Sequence, residues 1–309
     1  MSALHISHIM KFMTASALSI AFSATLMANV SYAATPTEYV DYPKLLEEQR
    51  HWAGLLTKTA HVGQVNWTYS EGGQKNKPTL LLLHGLDTNR DSWNHVAHLL
   101  TQKYHVIIPD LPGSGSTKVP LDFEYSIPNI SEELRLFIET LRIQDNLHVA
   151  GHSLGGSVAM FYASQYTMDT KSLFLMGASG LFQNNQTPYT KNPIYLKQLV
   201  VAQPGDLNFV MKKAMVNQPF IPEVRLKQQE RMLIEQSRDT TKLITEIFKL
   251  NQQYTINSYR NLLKSIKAPT LILWGKQDQI VNFEVASEIK SSIPSLVVFV
   301  PPLCLQLLQ

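Results

Sequence analysis

The sequence predicts an α/β fold: a mainly parallel sheet, helices on both faces, and a helical cap insertion. Three observations carry this prediction. Short apolar runs alternate with helix-patterned stretches from about residue 65 onward. Such alternation is the signature of strands joined through crossover helices. One strand run passes through a Gly-x-Ser-x-Gly turn straight into a helix-forming stretch at residues 147–162. The alternation then stops between Leu181 and about Gln253, where no good strand is found.

The elements follow in order. A strand begins at Val65–Tyr69, and Leu80–Leu83 and Val106–Ile108 read as buried strands, with a helix over Trp93–Leu100 between them. Asn129 is expected to cap the next helix, with Glu132 three residues into it and Leu134, Phe137 and Leu141 facing inward. Leu147–Ala150, Ser172–Leu175, Thr270–Leu273 and Val297–Val300 complete the strand set. The insertion opens on the polar stretch Gln183–Pro188 and continues as short helices punctuated by Pro193, Pro204, Pro219 and Pro222. Its apolar residues Tyr195, Leu199, Val200, Phe209, Val210, Met211, Met215 and Phe220 supply packing, and a minority could line an acyl pocket.

The predicted organisation is therefore an export signal at 1–33, a first core segment at 34–180, a helical cap at 181–253 and a second core segment at 254–309. Phe12 to Val30 is mostly small or apolar, and Lys11 is the only charged residue among the first 33 apart from histidines. Ser31-Tyr32-Ala33 fits a small-x-small cleavage site, so the expectation is a secreted chain cut after Ala33, with the periplasm as the other compartment. The apolar stretch is short and interrupted for a spanning helix, so no stable membrane insertion of the mature chain is expected. The 276 residues that follow suit one large domain, and their net charge of +2 points to no nucleic-acid partner. The single cysteine, Cys304, cannot form an intramolecular disulfide.

The chemistry centres on Val149-Ala-Gly-His-Ser-Leu-Gly-Gly156. Gly151 and Gly155 lack side chains and permit a sharp strand-to-helix turn. Ser153 then stands at its tip in a strained conformation with the hydroxyl exposed, facing the N-terminus of the new helix. His152 and Gly155 complete this elbow. Upstream, Thr79–Leu83 is a buried strand followed by His84-Gly85-Leu86-Asp87. The N–H groups of Leu86 and Leu154 are the natural oxyanion pair. His84 and Gly85 support that loop, and His84 reads as a brace because it precedes the nucleophile in the chain. Downstream, Thr270–Gly275 ends a strand and Asp278 follows, placed to orient a base histidine. Neither a metal cluster nor a nucleotide loop is evident, and Gly113-Ser114-Gly115 lacks the lysine of a phosphate-binding loop. No cofactor is expected.

These motifs, with Asp110-Leu-Pro-Gly-Ser-Gly-Ser116 and the stretch His84–Trp93, resemble the α/β-hydrolase family. Within it the chain is most similar to secreted bacterial lipases of the Moraxella and Psychrobacter type. The resemblance implies the α/β-hydrolase fold and hydrolysis of carboxylic esters through an acyl-serine. It implies a lipid or ester substrate, most specifically triacylglycerol, met at a lipid–water interface. Other serine-hydrolase chemistry on small substrates, or an inactive acyl-binding relative, are the alternatives. Epoxide hydrolase and dehalogenase chemistry is disfavoured, because those relatives use an aspartate nucleophile where this chain has Ser153. One departure stands out. The family order is serine, acid, histidine, yet none of the ten histidines follows Ser153. The tail after Val300 also lacks the family's closing helix pattern, so the expectation is a C-terminus truncated or frameshifted near residue 300.

Overall fold

A computed structural model describes residues 41–214, 218 and 220–299. The export signal, its cleavage site, Met215 and the tail with Cys304 lie outside the described residues. Helix α1 (Tyr42–Trp52) precedes an eight-stranded sheet. Its strands are β1 (Leu55–Val62), β2 (Val65–Gly72), β3 (Thr79–Leu83), β4 (His105–Pro109), β5 (Leu147–His152), β6 (Thr170–Met176), β7 (Thr270–Leu273) and β8 (Leu296–Phe299). The order is β1-β2-β4-β3-β5-β6-β7-β8. β1 and β2 pair antiparallel, β2 pairs antiparallel with β4, and the other neighbours are parallel. This is the α/β-hydrolase architecture the sequence implied.

Helices close both faces. The short 3-10 turn Arg90–Trp93 leads into α2 (Asn94–Leu100). Ala97 and Leu100 of α2 pack with Leu80, Leu82, Val106 and Ile108 on one side of the sheet. Leu81, Leu83, Ile107 and Val149 point to the other side, against α3 (Ile127–Leu141) and α4 (Leu154–Gln165). Alternate residues of β3 thus feed two separate cores, as a strand buried on both faces must. Almost every residue of α4 is buried, which makes it the central helix beneath the elbow.

Two local expectations are corrected. Helix α3 is capped by Ser126, whose hydroxyl accepts from the Asn129 N–H, and Pro128 stands in the first turn. Ser126 wins because proline at the start of a helix sacrifices no backbone bond; the Asn129 side chain instead donates back to the Glu124 carbonyl at 2.7 Å. The cap, too, is not made of short helices alone. After α5 (Pro188–Lys191), α6 (Pro193–Lys197) and α7 (Asp206–Ala214) comes one helix of 31 residues, α8 (Glu223–Gln253). No proline interrupts it after Pro222. Helices α9 (Ile256–Lys264) and α10 (Glu284–Ser292) return the chain to the core.

Helix α8 belongs to two clusters. Leu226, Leu233 and Ile234 in its first half pack with Val201, Leu207 and Met211 in a cluster of the cap's own. Leu243, Ile247 and Leu250 in its second half join the main core. Among the described residues no helix is long and apolar enough to cross a membrane.

Candidate active site

The sheet order sets the site. β5 lies between β3 and β6, and β7 lies beyond β6. Gly151 pairs with Leu83 and His152 with Met176. The loops leaving β3, β5 and β7 therefore emerge together at the carboxyl end of the sheet, where ligands bind in open α/β folds.

Ser153 is the sharpest feature there. Its backbone has φ 49° and ψ −113°, a conformation that non-glycine residues avoid and that costs on the order of 1–3 kcal/mol. Two hydrogen bonds hold it: Ser153 N–H to the Met176 carbonyl at 2.9 Å, and Ser179 N–H to the Ser153 carbonyl at 3.1 Å. The flanking glycines work by close approach. A Cβ on Gly151 would stand 2.3 Å from the Gly155 carbonyl oxygen, and a Cβ on Gly155 would stand 2.3 Å from that of Leu83. The glycines thus let helix α4 press onto β3 and β5, and Ser153, expected to be strained at the tip, carries the strain. Leu154 opens α4, so its N–H is among those without an intrahelical acceptor.

The loop after β3 lies against this elbow. A Cβ on Gly85 would come 2.9 Å from His152 Nδ1 and 3.4 Å from the Ser153 Cβ. His84 is fully buried, with Nδ1 at 2.8 Å from the Gly85 carbonyl and Nε2 accepting from the Leu111 N–H at 2.9 Å. Nδ1 therefore carries the proton, and both ring nitrogens are engaged. Burial lowers the His84 pKa, with the Asp110 charge opposing. His152 is pushed down to about 4 by burial and then by His84. Neither ring is a ready proton acceptor for Ser153 near neutral pH.

A polar tie that the sequence did not flag fixes the same loop. Asp110, wholly buried at the end of β4, accepts from the Arg90 N–H at 2.8 Å and the Ser116 N–H at 2.8 Å, and pairs with the Arg90 guanidinium. Gly115, at φ 57°, leaves room for that carboxylate: a Cβ there would lie 2.1 Å from the Asp110 Cγ. An acid directly after an apolar strand run was the available signal. Asp87 was also unflagged. It has φ 52°, and its carboxyl oxygen Oδ2 is enclosed without a hydrogen-bond partner.

The acid loop follows β7. Asp278 Oδ1 accepts from the Ile280 and Val281 N–H groups, each at 2.9 Å. The Trp274 indole N–H donates to the Val281 carbonyl at 2.9 Å and closes the loop. A Cβ on Gly177 would sit 3.4 Å from Asp278 Oδ2, so the second oxygen lies just past the end of β6. Burial raises the Asp278 pKa, and the two N–H donors oppose that rise. The structure thus brings Ser153, Leu154, Leu86, His84, Gly85 and the Asp278 loop to one end of the sheet. Among the described residues no group of three His, Cys, Asp or Glu side chains could hold a metal ion.

A sequence model of the alpha/beta hydrolase fold family matches residues 78–304. Lipase 1 of Psychrobacter immobilis is 28% identical over 256 residues, covering 81% of this chain and 78% of that protein. The crystal structure of a candidate lipase from Acinetobacter baumannii AYE is 50% identical, with a TM-score of 0.83, and covers 87% of this chain and 90% of the other. A membrane phospholipase A is 27% identical with a TM-score of 0.77, covering 93% and 90%.

Proposed function

The chain belongs to the α/β-hydrolase fold family and is a hydrolase of its lipase and esterase type, and from that premise we propose that it is a secreted triacylglycerol lipase acting through an acyl-Ser153. The observation that carries the proposal is Ser153 itself: a strained serine at the tip of β5, at the N-terminus of a buried helix, with the Gly85-Leu86 loop against it. Strain of this kind persists only where the surroundings over-determine it, and it clusters at active sites.

In this reading Ser153 Oγ attacks the ester carbonyl. The oxyanion forms against the Leu86 and Leu154 N–H groups and the positive end of α4. The alcohol leaves, and water then releases the acid. One oxyanion donor is worth on the order of 100- to 1000-fold in rate. Asp278 Oδ2 is the oxygen that would orient an imidazole. A lipid substrate is supported by the cap's surface, where Ile194 is 68% exposed and Phe220 88%, with Tyr195, Phe209 and Val224 also exposed. Lys212 and Lys213 share α7 with Phe209. Exposed apolar groups beside cations suit a lipid surface.

No histidine follows Ser153. Without a base a serine stays a weak nucleophile, though binding and the oxyanion hole alone retain roughly 1000- to 10,000-fold over water. The chain as written should therefore hydrolyse esters only weakly. Adding a family-like tail with one histidine after Val300 should raise turnover by orders of magnitude. A serine-directed fluorophosphonate should label that form, and Ser153→Ala should abolish labelling and hydrolysis. Undiminished hydrolysis by Ser153→Ala would overturn the nucleophile assignment. Turnover of p-nitrophenyl esters with none of emulsified triacylglycerol would move the reading to an esterase. Export is tested by mass spectrometry of secreted protein, which should begin at Ala34.

A further inference from the structure

We propose that Gln236 is a positioning residue: it latches cap helix α8 to the Gly115–Ser116 peptide and, through Asp110, sets the loop that carries Leu86. Two hydrogen bonds make the latch. The Gly115 N–H donates to Gln236 Oε1 at 3.0 Å, and Gln236 Nε2 donates to the Gly115 carbonyl at 3.3 Å. A side-chain amide suits this task because it presents a donor and an acceptor side by side. The Gly115 carbonyl belongs to the same peptide unit as the Ser116 N–H, and that N–H donates to Asp110 Oδ2 at 2.8 Å. One rigid plane is thus held by the cap on one edge and by Asp110 on the other. The other carboxylate oxygen, Oδ1, accepts from the Arg90 N–H at 2.8 Å.

Arg90 and His84 bracket the loop in question. The Arg90 guanidinium also pairs with Asp110, and His84 Nε2 accepts from the Leu111 N–H at 2.9 Å. Both ends of the stretch 84–90 are therefore fastened to the segment 110–116, and Leu86 lies between them. Thr88 ties the inside of the stretch, its hydroxyl donating to the Gly85 carbonyl at 2.9 Å. The segment that α8 grips is the one on which the Leu86 loop rests.

The latch stands where packing does little to fix the helix. Residues 235–242 of α8, Glu-Gln-Ser-Arg-Asp-Thr-Thr-Lys, hold no aliphatic or aromatic side chain over about two turns. The cap cluster ends at Ile234, and the main core resumes at Leu243. A polar cavity of about 360 Å³ opens at this stretch, lined by Glu235, Gln236 and Asp239 of the helix and by Asn89, Gly115 and Lys118 opposite. Water has room there to take over the hydrogen bonds of the latch, so releasing it costs far less than unpacking a core. The cap can therefore make or break this contact, and the hydrogen bonds through Asp110 carry the difference to the Leu86 N–H.

The consequence for catalysis rests on the reading of Leu86 as an oxyanion donor; the exchange test does not. Amide hydrogen exchange of the full chain should be compared with that of Gln236→Met, which keeps the side chain's length and helix propensity but makes neither hydrogen bond. Exchange in peptides covering 111–119 and 84–93 should rise together by about tenfold, toward the lower end of what two hydrogen bonds are worth. Peptides of β1 and β5 should not change. Lys242→Met is the control: it removes the bond from Lys242 Nζ to the Leu121 carbonyl, 3.0 Å long, and should leave 84–93 as it was. A flat 84–93 peptide in Gln236→Met would overturn the proposal, as would a rise spread evenly over the chain or an equal rise at 84–93 in Lys242→Met. Labelling of Ser153 by a fluorophosphonate, in the form given a tail with a histidine, supplies a readout that a merely structural contact would not move. Gln236→Met should slow it about tenfold, in step with the exchange, and an unchanged rate would overturn the positioning role. No labelling of that form before substitution counts against the nucleophile and leaves the exchange result to judge Gln236.

Discussion

Replacing Ser153 by glycine should make the protein more stable while removing its nucleophile. The side chain stands at φ 49°, ψ −113°, and relief of such a conformation is worth about 1–3 kcal/mol. Glycine gives back about 0.5–1 kcal/mol through the freedom it adds to the unfolded chain. The net expectation is a gain centred on about 1 kcal/mol and at most about 2.5 kcal/mol. In a domain of this size that corresponds to about 1–8 °C in Tm. Ser153→Ala is the control. It removes the hydroxyl and keeps the Cβ, so the strain stays and stability should remain within about 0.5 kcal/mol of the parent. Thermal and urea unfolding of the three proteins side by side measure the difference. A glycine variant no more stable than the alanine variant would show that the elbow stores no strain, and the active-site argument built on that strain would lose its footing.

Three further outcomes are expected. Arg90→Ala should cost about 3–5 kcal/mol in urea unfolding, because it strands the wholly buried Asp110 charge. Gly155→Ala should destabilise the protein by more than about 3 kcal/mol or abolish soluble expression, because its Cβ would lie 2.3 Å from the Leu83 carbonyl oxygen and neither backbone can yield cheaply. Stability should also fall as pH rises toward 8. The folded pKa of Asp87 is raised from 3.8 to about 7, so the neutral acid's contribution is complete below about pH 4 and is lost through pH 7, amounting to at most about 4 kcal/mol. A difference in urea midpoint between pH 5.5 and pH 8 that persists in Asp87→Asn would assign the effect to other groups.

The elbow was legible in the sequence because strand, glycine spacing and helix are local and consecutive. The parallel strands were legible because they are buried on both faces and read as plain apolar runs. Strand β1 was not. It is the edge strand, buried at Leu55 and Val62 with Thr57, Lys58 and His61 between, so its composition reads as a loop. Helix α8 was hidden differently. Its apolar residues divide between the cap cluster and the main core, so no single stripe runs its length. Asp278 was placed by its position after β7. Asp110 had a signal in its place after an apolar strand run, but its pairing with Arg90 joins two separate loops, and no spacing along the chain announces such a meeting.

The division of α8 between two clusters also has a mechanical side. From Leu243, where the helix enters the main core, back to Glu223 is about 30 Å at 1.5 Å per residue. A tilt of about 10° at the core end would then carry the tip through about 5 Å, roughly the spacing between neighbouring strands. Side chains around Leu243 would shift by a small fraction of that distance. A displacement at the tip of the cap can in this way be geared to one at its root small enough for a close-packed interior to absorb.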